Sequence, residues 1–299
     1  MNPVIGFLGV GAIGRPMAER MLASHALVVC DMNAAARAPF ESRAALAGSA
    51  RELADTADIV FACLPTPASY EQAVLGSDGL VAGSRMRQFV NVGTTSPELA
   101  RRMSEALASR GMAMLDAPVS GGVPRARSGQ LTVMSSGPRD LFDTAEPLIA
   151  CFAKDIVYLG AAAGAAQLMK LINNVLSASN LAVACEVLVL GAKAGLDPEK
   201  MIEVLNTGTG QNSATLTKIP DHVLPRTFDY GGRLEVVLKD LSALTQEAAR
   251  WGYPCPLAQL TEQTYKTAIA ADGPTRDMTE VARHMERVAG VELAARRPS

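Results

Sequence analysis

The sequence predicts an α/β Rossmann-type N-terminal domain and an all-α C-terminal domain joined by a long helix. Three observations predict it. Short apolar runs alternate with helical patterns over the first half of the chain. A G-x-G-x-x-G stretch stands directly after the first apolar run. Beyond about Val157 the strand-like runs stop and helical patterns take over. Strands alternating with helices imply a parallel sheet covered on both faces.

The elements follow in order. Residues 4–8 form the first apolar run, followed by a glycine-rich turn and a helical pattern to about Ala23. Further strand-like runs are 26–30, 58–64, 88–92, 112–115 and Leu131–Ser135, with helical patterns at 49–56 and 97–109. Residues 164–194 make one long helical pattern, ended by Gly195 and followed by Asp197-Pro198, a fresh helix start. Helical patterns then run over 198–205, 234–250, 257–271 and 278–289. Residues 1–162 are expected to be the dinucleotide-binding domain, and 163–299 an all-helical substrate and oligomerisation domain. The last four residues read as a frayed tail.

Composition narrows the function. Hydrophobic residues make up 48% and charged residues 19% of 299, which fits a large core and not disorder. A formal net charge of −2 gives no basic stripe for a nucleic acid. Five scattered cysteines with no Cys-x-x-Cys pair suggest free thiols in a reducing compartment. Three histidines, none near a cysteine or an acidic cluster, predict no metal site. The stretch 176–190, interrupted by Asn180 and Glu186, reads as too short and too polar to span a membrane. A cytoplasmic protein with no membrane partner is expected.

Gly9, Gly11 and Gly14 form the glycine pattern, with Ala12 and Ile13 between them. Gly9 permits the tight turn, Gly11 lets the backbone approach a pyrophosphate, and Gly14 lets helix and strand pack closely. The phosphates are expected at the helix N-terminus. Asp31, at the end of the second strand, is placed to accept hydrogen bonds from the adenosine ribose. Its charge opposes a 2′-phosphate and Met32 follows it, so NAD is expected over NADP. Asp116-Ala-Pro-Val-Ser-Gly-Gly122 follows a strand. Its Ser-Gly-Gly turn offers a hydroxyl and exposed backbone N–H groups, a nest for a small carboxylate.

With these motifs in order, the chain resembles the β-hydroxyacid dehydrogenases, which include 3-hydroxyisobutyrate dehydrogenase, tartronate semialdehyde reductase and L-threonate dehydrogenase. Gly6 to Gly14 with Met17-Ala18 is similar to the family's cofactor motif. Asp116 to Gly122 with Gly129-Gln-Leu-Thr132 is similar to its substrate motif. Gly164 through Lys170 to Asn174 is similar to its catalytic motif, and Lys239-Asp240-Leu241 to a fourth block. The resemblance implies hydride transfer between a small β-hydroxy acid and NAD. It makes Lys170 the general acid/base and Asn174, one helical turn on, its neighbour at the hydroxyl. It gives the substrate carboxylate to Ser120, Gly121 and Gly122. It puts Lys239 near nicotinamide and substrate, and Leu64, Pro65 and Thr94 against the nicotinamide half of the cofactor. Asp240 is expected to anchor its own helix. A homodimer or homotetramer is implied.

The resemblance explains an oddity. Lys170 sits in an apolar helix, where a lysine titrating near ~10.4 in water is too basic to take a proton at neutral pH. Burial or a second cation such as Lys239 would lower it. Three departures from the family pattern stand out. Ala166 replaces a glycine, Gly232 stands where a phenylalanine is common and would widen the site, and Asn91 replaces a common aspartate. Arg125 can meet a second carboxylate or remain a solvated loop residue. Gln211, Asn212 and Ser213 can reach a substrate from the helical domain. Two other readings stay open: an imine reductase-like NADPH enzyme, and a dinucleotide-binding sensor without turnover.

Overall fold

Six short strands pair in parallel into one sheet in a computed structural model that describes residues 3–295. They are β1 (Ile5–Leu8), β2 (Leu27–Cys30), β3 (Ala45–Leu46), β4 (Ile59–Ala62), β5 (Gln88–Asn91) and β6 (Ala113–Asp116). Their order is β3-β2-β1-β4-β5-β6, the doubly wound order with its switch point beside β1. The expected frayed tail at 296–299 lies outside the described residues.

The apolar runs are uninterrupted because both faces of the central strands are buried. Alternate residues feed two cores. Phe7, Val29 and Phe61 point to one face, and Leu8, Val28 and Val60 to the other. On the first face Phe7 stacks on Phe61 at 6.3 Å, and Phe61 meets Phe152 edge-on at 6.4 Å. Covering helices begin where serine caps stand. Ser49 Oγ accepts from the Glu52 N–H, and Ser96 Oγ from the Leu99 N–H.

A second sheet joins β7 (Val119–Ser120), β8 (Leu131–Ser135) and β9 (Ala153–Tyr158). β7 runs antiparallel to β8, and β9 parallel to it. The sequence reading missed β3, β7 and β9. The first two are two-residue strands with no periodicity to detect. The third carries Lys154 and Asp155 on an edge of its sheet, which hides its apolar pattern.

Helix Ala165–Lys193 follows, then helices Pro198–Thr207, Leu234–Arg250, Pro256–Asp272 and Val281–Ala289. Val175, Leu181, Cys185 and Leu188 of the long helix enter a core shared with Ile219, Leu241 and Tyr265. A further helical segment, Ala214–Val223, escaped the sequence reading because Pro220 stands inside it. At 29 residues the long helix is, by length and composition alone, apolar enough to cross a membrane, contrary to the sequence reading. Its buried face supplies the core of the helical unit, and 44% of its most apolar window is covered within the protein.

By contacts the chain divides into Met1–Lys170 and Leu171–Ser299. The division lies past the sequence boundary at 162/163 because the start of the long helix is hydrogen-bonded into the sheet unit. The Gly164 N–H donates to Asp116 Oδ2, and the Ala166 N–H to Ser136 Oγ.

Candidate active site

In the sheet unit, the predicted residues gather at the C-terminal ends of the parallel strands, where open α/β sheets take their ligands. Gly9 ends β1 with φ of 88° and its N–H on the Cys30 carbonyl at 2.8 Å. A Cβ at Gly9 would stand 2.4 Å from the Cys63 carbonyl oxygen. One at Gly14 would stand 2.0 Å from the Gly9 carbonyl oxygen, so only glycine lets helix and strand close up. Gly11 is different: a Cβ there meets nothing within 4 Å. Gly11 and Ala12 are exposed and Ile13 half-buried. The helix Gly14–Leu22 that they open has no side-chain cap and no acid in its first turn. An uncapped helix start beside an open glycine fits an anionic pyrophosphate.

Asp31 ends β2 and ties the loop down. Its Oδ2 accepts from the Val10 N–H and its Oδ1 from the Asn33 N–H, each at 2.8 Å. A carboxylate has about four acceptor positions, so capacity remains for ribose hydroxyls. Arg37 donates from Nη1 to the Asp31 carbonyl oxygen. This cation lies six residues past Asp31, beyond the Met32 position on which the expectation of NAD rests. Leu64 and Pro65 follow β4. The Leu64 N–H donates to Tyr70 Oη, which donates to the Ala62 carbonyl. Thr94 is half-buried after β5.

Ser120 ends β7, paired with Thr132 of β8, and is half-buried. Gly121 and Gly122 follow, exposed, with φ of 134° and 69°. Two successive glycines of positive φ present backbone N–H groups with no Cβ of their own over them, as a carboxylate nest requires. The Arg125 stem lies against Gly121: a Cβ there would meet its Cδ at 2.7 Å.

Lys170 is buried, with 8% of its surface exposed. One turn earlier stands Gln167, fully buried and absent from the sequence reading. Its Oε1 accepts from the Thr95 N–H, and its Nε2 donates to the Gly93 carbonyl and to Asp116 Oδ1. Asp116 also accepts from Asn91 Nδ2 at 3.2 Å. Burial pushes the Asp116 carboxyl above its usual range, against these hydrogen bonds. Asn91 in place of an aspartate avoids a second buried carboxylate here. This network fixes the start of the Lys170 helix to the ends of β5 and β6. Its one sequence signal was a polar residue on the buried face of an apolar helix.

In the helical unit, Asn174 Nδ2 donates to Asp240 Oδ2 at 2.7 Å. Lys239 Nζ stands 3.2 Å from Asp240 Oδ1. Asp240 therefore holds Asn174 of the long helix, where the sequence reading had it anchoring its own. Gln211 and Asn212 are spent on their own loop: Gln211 Nε2 donates to the Asn206 carbonyl, and Asn212 Oδ1 accepts from the Ala214 N–H. Gly232 lies against Met278, whose Sδ a Cβ would meet at 3.1 Å.

Lys218 is a buried lysine that the sequence reading passed over, and burial holds it down to about 8 from an ordinary 10.5. Between those values the unfolded chain keeps a proton that the folded chain has released. Stability is therefore expected to rise from pH 8 to pH 10.5, by an amount on the order of 1–3 kcal/mol. Denaturant melts across that window check it: the rise must disappear in Lys218→Met.

Comparison with known proteins agrees across the chain. Residues 4–160 match the family described as the NAD binding domain of 6-phosphogluconate dehydrogenase. Residues 164–285 match the one described as NAD-binding of NADP-dependent 3-hydroxyisobutyrate dehydrogenase. A 3-hydroxyisobutyrate dehydrogenase of Pseudomonas aeruginosa is 36% identical, covering 90% of this chain and 93% of its own. A 2-(hydroxymethyl)glutarate dehydrogenase of Eubacterium barkeri is 30% identical over 97% of both. The solved Mycobacterium tuberculosis 3-hydroxyisobutyrate dehydrogenase with L-serine superposes at a TM-score of 0.86. It is 30% identical, with 95% of this chain and 99% of that one covered. Imine reductases and reductive aminases that also match are 17% to 19% identical, a likeness of fold alone.

Proposed function

The chain belongs to the β-hydroxyacid dehydrogenase family, and we propose that it oxidises a small β-hydroxy acid with NAD, using Lys170 as general base. The observation that carries the reading is the buried Lys170, on a helix pinned through Gly164 and Gln167 to the ends of β5 and β6, beside Thr94 and the start of the Asp116-to-Gly122 motif.

Each residue has a part. Gly11 and the uncapped helix start receive the pyrophosphate, Asp31 the adenosine ribose, and Leu64, Pro65 and Thr94 the nicotinamide half. When bound, the nicotinamide supplies the hydride acceptor. Ser120, Gly121 and Gly122 hold the substrate carboxylate. Lys170 takes the hydroxyl proton onto Nζ. Asn174, oriented by Asp240, presents its amide one helical turn along, and Lys239 adds a cation on the other side of Asp240. NAD is favoured over NADP because a 2′-phosphate would approach the Asp31 carboxylate, although Arg37 stands close by.

The reading places the protein in the cytoplasm, supported by five unpaired thiols. It makes the protein a homodimer or homotetramer, supported by the apolar stripe Ile172, Leu176, Val183, Val187 and Leu190 exposed along the long helix. The test is nicotinamide reduction followed by absorbance over 3-hydroxyisobutyrate, glycerate, L-serine, L-threonate and 4-hydroxybutyrate, with each cofactor. Turnover with at least one acid is expected, with NAD favoured by roughly tenfold in kcat/KM. Tight cofactor binding without turnover on any acid sinks the reading.

A further inference from the structure

Lys218 has no part in the chemistry above. Only 3% of its surface is exposed. Its Nζ donates to Ser177 Oγ at 2.6 Å and to Ser213 Oγ at 3.4 Å, and it lies 5.5 Å from the centre of the Tyr230 ring. None of these groups is acidic. Among the described residues, then, the buried ammonium is held by neutral partners without a counter-ion, an expensive arrangement in a folded protein.

The surroundings suggest what supplies one. Ser213 and Tyr230 are exposed and Ser177 is half-buried, so the ammonium lies one side chain below the surface. Ser177 stands two turns past Lys170 on the long helix, on the side that carries Asn174 (spacings of four and three residues). The segment Ala214–Val223 is wound more widely than an α-helix, with the Leu224 N–H reaching back five residues to the Ile219 carbonyl. Wide turns of this kind are rare and occur mostly at functional sites. Ser213 belongs to the loop that the sequence singled out, and it alone of that loop's three polar residues turns its side chain to a cation.

We propose that Lys218, with the hydroxyls of Ser177 and Ser213, is an anion subsite that takes a second carboxylate of the substrate. The preferred substrates are then dicarboxylic β-hydroxy acids. An ammonium has three donors; two meet the hydroxyls and the third is left for a carboxylate oxygen. The hydroxyls rotate to donate to the same anion. Occupancy would restore the missing charge balance. Burial already holds Lys218 down to about 8, and a bound carboxylate would keep it protonated.

The inference rests on the dehydrogenase reading, and its test separates the two. 3-Hydroxyisobutyrate and 2-(hydroxymethyl)glutarate share one reacting end, a hydroxymethyl group beside a carboxylate. They differ in a methyl group against a propionate arm. The wild type is expected to favour the second by about 10- to 100-fold in kcat/KM, the value of one charge-assisted contact. That preference should be lost in Lys218→Met and reduced in Ser177→Ala. Equal use of the two acids by the wild type, or a preference that survives in Lys218→Met, overturns the subsite. Glutarate binding to the full protein, measured by calorimetry, decides the matter without turnover. Heat with the wild type that vanishes in Lys218→Met and weakens in Ser177→Ala supports the subsite; no heat with the wild type, or heat unchanged in the variants, overturns it. Because Ser177→Ala removes only one oxygen, it serves where Lys218→Met fails to fold.

Discussion

Replacing Lys170 by alanine is expected to lower kcat by about a thousandfold or more while cofactor affinity stays near that of the wild type, since general-base catalysis contributes ~10²–10⁴. The lysine is buried and lies on the helix held by Gly164, Ala166 and Gln167, and none of those bonds involves its side chain. The substitution therefore removes the proposed proton acceptor and leaves its platform. Lys170→Arg should be as inactive, because a guanidinium cannot give up a proton at working pH. A small primary amine added to Lys170→Ala should restore part of the rate, which a purely structural lysine would not permit. Single-turnover hydride transfer and dinucleotide titration, run side by side, check the split. Turnover of Lys170→Ala within about tenfold of the wild type removes the lysine from the mechanism.

The second large effect is at Gly14. A Cβ there would stand 2.0 Å from the Gly9 carbonyl oxygen and 3.3 Å from Cys63 Cβ. The first obstacle is backbone, and it cannot rotate away. Gly14→Ala is expected to cost about 2–4 kcal/mol of stability and to abolish measurable dinucleotide binding, because the helix start moves off the strand. Gly11→Ala is the contrasting case. A Cβ there meets nothing within 4 Å, so the melting temperature should hold while dinucleotide affinity falls by about tenfold or more. Thermal melts and cofactor titration of the pair separate the glycine that permits packing from the one that permits close approach. Equal melting temperatures for Gly14→Ala and wild type would show that the helix start can shift without cost.

How much of this was legible follows the range of the interactions. The glycine loop, Asp31 and the Ser-Gly-Gly turn are local patterns, and the structure sets them at the ends of their strands. Helix Leu234–Arg250 was legible to the residue because its apolar period is regular. The Asp116 network was not. It joins Asn91 and Gln167, 25 and 51 residues away in the chain, and no spacing rule links an amide, a carboxyl and a glutamine over that range. Lys218 was hidden for a different reason. Pro220 breaks the helical pattern around it, and the wider winding that accommodates the ring leaves no period of 3.6 to detect. Nothing beside Asp240 in the sequence points to its hydrogen-bonded partner, Asn174, which is 66 residues away.

The place where the long helix changes allegiance bears on how such proteins can be recombined. The sheet unit closes at Lys170, not at the end of its last strand. A chimera joined at 162/163 would hand Gly164 and Gln167 to a foreign donor, leaving Asp116, 2% exposed, to whatever that donor carries at those positions. A crossover just after Lys170 keeps the carboxyl with its donors and carries the lysine along with the sheet that holds it. Asn174, one turn further on, then travels with Asp240 and the helices. The two residues proposed for the chemistry, Lys170 and Asn174, are thus inherited from different parents, and a library crossed at that point samples them independently.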